Sequence, residues 1–424
     1  MVQGHCNQNA QARFPAMKTS KTMQFSRRRF LGGTAAALAA AATSKAFGRV
    51  EGAPGSPRRI KLGVIGNGGR GAWIAKLFQD HGGYEIWAVA DYFKEVADKC
   101  GDALGVERSR RFSTLSGYRR LLESGVEAVA VETPPYFMPE QVTESVEAGL
   151  HVYMAKPVAV DVPGALKVAE AGRRASARAQ CFLVDYQIPT DPVNIEVARR
   201  IRDGGLGRIA RVLTNGQTRA QKDPPRTATM ESRLRDLIWV NDVAMGCDYI
   251  GNYDIHAIDA ALWVLGSMPV AAMGASGIYR PDAHGDSRDM IALTYEYAEG
   301  FIHQHTGSAL SNNRPGDISA TFEGTVANAF VSYKGNAFLR GGPRHFGGGA
   351  VENLYAMGAT RNIDRFHKEI SSGVHSNDTC QRAVDGVLAC VLGYEAGARH
   401  GKLTMDALLR ENRRLEVDLR GLKA

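Results

Sequence analysis

The chain has 424 residues, 44% of them hydrophobic and 23% charged, which allows two domains with separate cores and argues against a fibrous or disordered class. The formal charge of +8 does not mark a nucleic-acid binder, because residues 1–46 hold seven Lys and Arg and no Asp or Glu, leaving the body near +1. Beyond that leader remain Cys100, Cys181, Cys247, Cys380 and Cys390, an odd number with no CxxC pair; buried free thiols are expected rather than disulfides or a thiolate metal cluster.

In chain order, Ser26-Arg27-Arg28-Arg29-Phe30-Leu31 is followed by an alanine-rich apolar run to Ala42 and then Ser44-Lys45-Ala46. Twin arginines, a mild apolar stretch and small residues in that order read as a twin-arginine export signal over residues 1–46, which implies the export machinery as a partner and a periplasmic destination. The run is too short to span a bilayer as a helix. Residues 47–59 read as a linker. Ile60–Ile65 predicts a strand, 72–79 a helix, 86–90 a second strand, 127–132 a third, 140–148 a helix, 150–154 a strand, 162–177 a helix and 180–185 a strand. Strands alternating with helices at this pace predict a mostly parallel sheet covered on both faces, over residues 60–186. The pattern then changes. After a helix at 193–202, runs at 209–218, 289–297, 300–306, 317–323 and 327–333 are β-rich and partly alternating, and an apolar helix covers 255–265. This predicts a second α/β domain over 187–375, with helices at 363–370 and 378–398 and a C-terminal helical segment and tail over 376–424.

The first strand runs into Gly66-Asn67-Gly68-Gly69-Arg70-Gly71, and each glycine has a geometric task. Gly66 permits a tight turn, Gly68 lets a diphosphate reach backbone amides, and Gly71 lets the helix pack close to the sheet. The helix N-terminus adds partial positive charge. Asp91 ends the second strand 20 residues after Gly71, placed to accept hydrogen bonds from ribose hydroxyls and to repel a 2′-phosphate. The expected cofactor is therefore NAD rather than NADP, although Arg70 could meet a phosphate. No second flavin-binding segment supports FAD.

Together with Gly66–Gly71, the segments Thr133-Pro134-Pro135, Ala148 through Pro157 and Asp254-Ile255-His256-Ala257-Ile258-Asp259 resemble the Gfo/Idh/MocA family over about residues 60–400. The resemblance implies an N-terminal Rossmann domain and a C-terminal α/β domain with an open, mostly antiparallel sheet. That sheet would mediate homodimer or homotetramer formation. Lys156 lies just past a central strand, at the carboxyl edge where such sheets place ligands, and its ammonium could stabilise a developing alkoxide. The family's Glu-Lys-Pro motif stands here as Ala155-Lys156-Pro157, without its acid. His256 could take a hydroxyl proton. The family's acid four residues before it is replaced by Asn252, which can orient but cannot accept a proton.

Around these, Asp254 is expected as a helix cap or acid, Asp259 on the face of His256, and Asp248 as a supplementary acid. Gln187 is expected near the nicotinamide or sugar, with Thr133 and Pro134 at the cofactor and Tyr153 and Tyr249 against a sugar ring. Tyr253 is a further candidate acid or base. The basic run Arg219–Arg235 reads either as a solvated loop or as a contact for acidic groups. His303 and His305 would share one strand face, but no third ligand is evident, so no metal is expected.

Three functions fit these residues. The leading one is hydride transfer from a secondary hydroxyl of a sugar, cyclitol or glycoside to a tightly held, internally recycled nicotinamide. A second is redox-neutral glycoside cleavage through transient oxidation and elimination. The third is a non-catalytic sugar- or dinucleotide-binding protein.

Overall fold

The computed structural model describes residues 58–424; the stretch read as an export signal and most of the linker lie outside the described residues. The first sheet is built from β1 (Ile60–Ile65), β2 (Tyr84–Asp91), β3 (Arg111–Ser113), β4 (Ala128–Val131), β5 (His151–Met154) and β6 (Phe182–Val184). All are parallel, in the order β3-β2-β1-β4-β5-β6. Every residue of β4 and β6 is buried, as expected for strands covered on both faces. The connecting helices are α1 (Gly69–His81), α2 (Lys94–Leu104), α3 (Gly117–Leu122), α4 (Met138–Glu147) and α5 (Val162–Ala177). Asp161 starts α5 by accepting from the Gly164 amide at 2.8 Å.

Asp191 caps α6 (Pro192–Arg202) in the same way, and the chain then enters the second sheet with β7 (Ile209–Gln217). Past the short turn α7 (Val243–Gly246) and α8 (Ile255–Leu265) come β8 (Ala271–Gly277), β9 (Met290–Glu296), β10 (Ile302–Ser308), β11 (Asp317–Gly324), β12 (Ala327–Ser332), β13 (Gly335–Gly341) and β14 (Phe346–Val351). The edge strand β15 (Lys402–Thr404) precedes α11 (Met405–Glu411) and completes the order β14-β13-β12-β11-β7-β10-β9-β8-β15. Only β7 and β10 pair in parallel. The sheet is therefore mostly antiparallel, as the resemblance implied.

Two long helices tie the sheets together. α9 (Leu354–Ser372) turns back onto the first sheet, where Ile363 and Phe366 join Phe78, Tyr84 and Tyr153 in one core. α10 (Asp378–Arg399) packs against α5 at one end, where Gly172 makes room for Cys380, and against the second sheet at the other, where the Tyr295 hydroxyl donates to the Ala389 carbonyl at 3.0 Å. Although residues 354–372 follow the second sheet in the chain, their apolar face belongs to the first core. All five cysteines of the described residues are buried and free.

The loop between β7 and α7 is folded around buried charge. The Arg233 side chain is fully buried and donates to Asp242 (2.6 Å) and Asp223 (2.8 Å); Arg280 also reaches Asp223 (2.9 Å) and Asp289 (3.1 Å). Arg226 pairs with Asp242 as well. Of the basic run, only Arg233 is internal; Arg226 reaches Asp242 from the surface, and Arg219, Lys222 and Arg235 are exposed. Replacing Arg233 with leucine would leave Asp242 and Asp223 short of a buried cation. We expect a loss of about 3–5 kcal/mol, read by urea unfolding; a change below about 1 kcal/mol would show that the ion cluster does not hold the loop.

Candidate active site

A cavity of about 520 Å3 lies at the carboxyl ends of β1, β2, β4 and β5 and is closed on its far side by residues from the second domain. Its floor is the glycine turn. Gly66 has φ +88°, and a Cβ there would stand 2.8 Å from the Glu132 carbonyl. A Cβ on Gly71 would lie 1.8 Å from the Gly66 oxygen, so helix and turn can approach only as glycines. A Cβ on Gly68 or Gly69 would meet nothing within 4 Å. The turn is thus packed beneath and open above, which fits a diphosphate lying on the backbone amides at the start of α1.

Asp91 shapes the adenosine end. Its Oδ2 accepts from the Asn67 amide at 2.7 Å and its Oδ1 from the Phe93 amide at 2.9 Å, which fixes the carboxylate at the cavity wall. The Asn67 side chain is held at the Val64 carbonyl (3.2 Å). Arg70 does not extend toward a 2′-phosphate. Its guanidinium ion-pairs with Asp185, lies 3.2 Å from Glu132 and donates to the Tyr355 hydroxyl at 2.7 Å. Arg70 lines the cavity with its guanidinium engaged by these partners. Arg235 alone of the basic run lines this end, stacked 3.9 Å over Phe93 and paired with Glu95 at 2.9 Å.

At the other end stand Lys156, His256, Asn252, Gln187, Thr133 and Pro134, all lining the same cavity. A π-helical turn over Ile250–Asp254 runs into α8, and its extra residue brings Asn252 and His256 to one wall. The Lys156 ammonium donates to the Asn252 carbonyl, and its Nζ lies 5.9 Å from the centre of the Tyr253 ring. Burial, followed by the positive field of Arg70, lowers the Lys156 pKa to about 7. His256 is pushed well below its ordinary value by burial and then by Lys156, so its imidazole is neutral, with Nδ1 lacking a partner among the described residues. It is therefore better suited to hydrogen-bonding a hydroxyl than to holding a proton. Gln187 accepts from the Tyr333 hydroxyl at 2.9 Å, which fixes its amide at the cavity.

Five expected site residues lie elsewhere. Asp254 immediately precedes α8 but makes no capping bond; its carboxylate points into the second sheet, accepts from His305 Nε2 at 3.1 Å and occupies the space left by Gly216 and Gly307. Asp259 is buried against Arg382 of α10 at 2.8 Å. Asp248 is buried against Arg288 at 2.9 Å and accepts from the Tyr249 amide. Tyr153 is a core residue, edge-on to Phe78 and Phe366. Tyr249 is also buried, its hydroxyl bound to Asn241 and to the Gln221 amide, so it anchors the loop rather than touching the cavity. The three carboxylates and the Tyr249 hydroxyl have internal partners that spacing does not reveal, and Tyr153 is held by ring packing.

His303 and His305 do share one strand face, and both bond to the Thr214 hydroxyl, at 2.8 and 3.0 Å. Among the described residues there is no group of His, Cys, Asp or Glu that could hold a metal ion.

Several lining residues were not singled out from the sequence. Tyr333 and Tyr355 come from β12's far end and α9, with nothing local to mark them. Glu132 did carry a signal: it immediately precedes Thr133 at the carboxyl edge of the sheet. Tyr253, a secondary candidate, lines the cavity with its hydroxyl held by the Gln221 side chain at 2.6 Å.

Comparison with known proteins agrees with this arrangement. Residues 60–183 match the model of the Gfo/Idh/MocA oxidoreductase family, NAD-binding Rossmann fold, and residues 195–329 match the Gfo/Idh/MocA C-terminal domain; together these cover more than half of the chain. The chain is 24% identical to scyllo-inositol 2-dehydrogenase (NAD(+)) of Bacillus subtilis over 64% of its length and 74% of that protein. It is 23% identical to 2,7-anhydro-N-acetylneuraminate hydratase of Mediterraneibacter gnavus over 57% of its length and 59% of that protein. A levoglucosan dehydrogenase solved with NADH and levoglucosan superposes with a TM-score of 0.68 at 16% identity, covering 82% of this chain and 100% of that one.

Proposed function

The chain belongs to the Gfo/Idh/MocA oxidoreductase family, and from that premise we propose that it oxidises a secondary hydroxyl of a sugar, cyclitol or glycoside at the expense of NAD. It is an NAD(P)-dependent oxidoreductase. The observation that carries the substrate reading is the presence of Lys156, His256, Asn252 and Gln187 in one cavity with the glycine turn and Asp91. The relatives named for inositol and levoglucosan support a polyhydroxylated substrate.

Bound nicotinamide supplies the hydride acceptor. The chain's own groups do the rest. The glycine turn carries the diphosphate, Asp91 holds the ribose, and the commitment of Arg70 to Asp185, Glu132 and Tyr355 favours NAD over NADP. His256 and Asn252 orient the reacting hydroxyl, and neutral Lys156 takes its proton. Because the amine must be unprotonated, oxidation is expected to rise with pH through about 7 and to level off above it. Initial rates over pH 5.5–9 test this; a flat profile would remove Lys156 as the base.

Retention of the cofactor through internal recycling follows from proposed export, since free nicotinamide is scarce outside the cytoplasm. The order Ser26 to Leu31 followed by the run to Ala42 supports the twin-arginine route and a periplasmic location. The open face of the second sheet exposes Met273 and Ile302, which supports a homodimer or homotetramer.

Redox-neutral glycoside cleavage is the second reading, favoured by the relative named as a hydratase and by Asn252 in place of an acid. The test is mass analysis of the purified protein for bound nucleotide, then a panel of polyols, sugars and glycosides followed for both nicotinamide reduction and aglycone release. Reduction without release supports oxidation; release without net reduction supports cleavage. A folded, NAD-loaded protein that did neither across the panel would leave a binding role.

A further inference from the structure

Parallel pairing sets Val131 of β4 opposite Met154 of β5, and the Ala155 amide donates to the Val131 carbonyl at 3.0 Å. The next residues on the two strands are Glu132 and Ala155, side by side at the carboxyl edge. Position 155 lacks the acid of the Glu-Lys-Pro motif; position 132 has one. We propose that Glu132 supplies from the neighbouring strand the carboxylate missing beside Lys156, and that it is the group that exchanges protons with that lysine. The inference rests on the oxidoreductase reading of this cavity and deepens it.

The surroundings single out Glu132 among the acids. Its side chain has no exposed surface yet lines the cavity. Among the described residues neither oxygen accepts a hydrogen bond, although Arg70 Nε lies 3.2 Å from Oε2. Asp185, the other acid here, is fully engaged: Oδ1 accepts from Asn362 at 2.7 Å and Oδ2 from Arg70. Glu132 has no such hydrogen bonds to hold its charged form, and burial acts against that form. The charged and titratable groups facing Glu132 are Arg70 from α1, Lys156 after β5, Asp185 after β6 and Tyr153 within β5, while His256 of α8 faces Lys156. Burial raises Glu132 to about 7 and lowers Lys156 to about 7, so the two groups are matched in acidity; in this structure they are not in direct contact, Lys156 donating to the Asn252 carbonyl and Glu132 facing Arg70.

During oxidation the substrate O–H bond breaks and its proton joins the neutral Lys156 amine. The ammonium then passes a proton to the Glu132 carboxylate, which restores the amine. A nicotinamide dinucleotide held by the glycine turn and Asp91 would accept the carbinol hydride with its electron pair. Charge and atoms balance, with the acid product held on Glu132.

Trace acetylation of Lys156 by acetic anhydride between pH 5.5 and 10, followed by peptide mass analysis, reads the lysine's midpoint without substrate or cofactor. Glu132→Gln should lower it by about one pH unit, a tenfold change in the protonation equilibrium. Glu132→Asp should keep it close to the parent. Adding Ala155→Glu to Glu132→Gln should restore it, which a merely structural loss would not do. An unmoved midpoint in Glu132→Gln, or a shift that Ala155→Glu fails to reverse, overturns the proposal. NAD calorimetry on the parent protein is run beside it. If the parent protein binds no NAD, the functional reading fails whatever the acetylation shows; if it binds NAD but the midpoints do not follow the carboxylate, only the role of Glu132 fails.

Discussion

Lys156→Ala is expected to slow hydride transfer by about a thousandfold while leaving NAD affinity within about threefold. Lys156 reaches the cavity from the end of β5, and among the described residues its one direct hydrogen bond runs to the Asn252 carbonyl. Its removal therefore takes away the proton acceptor without disturbing the glycine turn. Lys156→Arg separates charge from proton transfer: a guanidinium stays protonated at any accessible pH, so it can stabilise an alkoxide but cannot take its proton. If proton transfer dominates, the arginine variant remains as slow as the alanine variant; recovery to within tenfold of the parent would mean that positive charge is what the site requires. The measurement is single-turnover nicotinamide reduction with whichever polyol or glycoside the parent enzyme accepts, beside calorimetry with NAD.

The second large effect is expected at the turn. Gly71→Ala places a methyl carbon 1.8 Å from the Gly66 oxygen, a backbone atom that cannot step aside. Either the turn opens or α1 moves off the sheet. We expect NAD affinity to fall at least about a hundredfold and stability to drop on the order of 3 kcal/mol. Gly69→Ala provides the contrast, because its methyl would meet no protein atom within 4 Å. That variant should melt close to the parent and show only a smaller loss of NAD affinity. Equal behaviour of the two variants in melting and NAD titration would show that the packed underside of the turn does not hold the site.

The readable parts of this protein were those where one local pattern has one structural solution. Ile60–Ile65, Val162–Ala177 and Ile255–Leu265 begin and end where apolar spacing and punctuation place them, and the glycine turn with Asp91 follows from backbone sterics alone. The missed strands β8, β13 and β14 are rich in glycine and alanine (AAMGASG, GNAFLRG, FGGGAV), so they carry little alternation and owe their place to pairing with neighbours already in the sheet. The start of α9 was missed because its first turns pack onto a domain nearly 300 residues earlier in the chain.

The site shows the same division. Lys156, His256, Asn252 and Gln187 were legible because strand ends and a motif fix them. Asp248, Asp254 and Asp259 were not, since whether a carboxylate faces a cavity or a buried arginine or histidine depends on Arg288, His305 and Arg382, each at least 40 residues away. Tyr153 was misread for a related reason. Its strand is covered on both faces, and the covering ring of Phe366 comes from α9.

The central claim is that the turn from Gly66 to Gly71 and the carboxylate of Asp91 hold a nicotinamide dinucleotide whose reacting end faces Lys156. Native mass measurement of the purified, folded chain, followed by NAD and NADP titration of nucleotide-stripped protein, tests it most directly. One dinucleotide per chain is expected, with tighter binding of NAD than of NADP; well-folded protein that takes up neither would overturn this assignment.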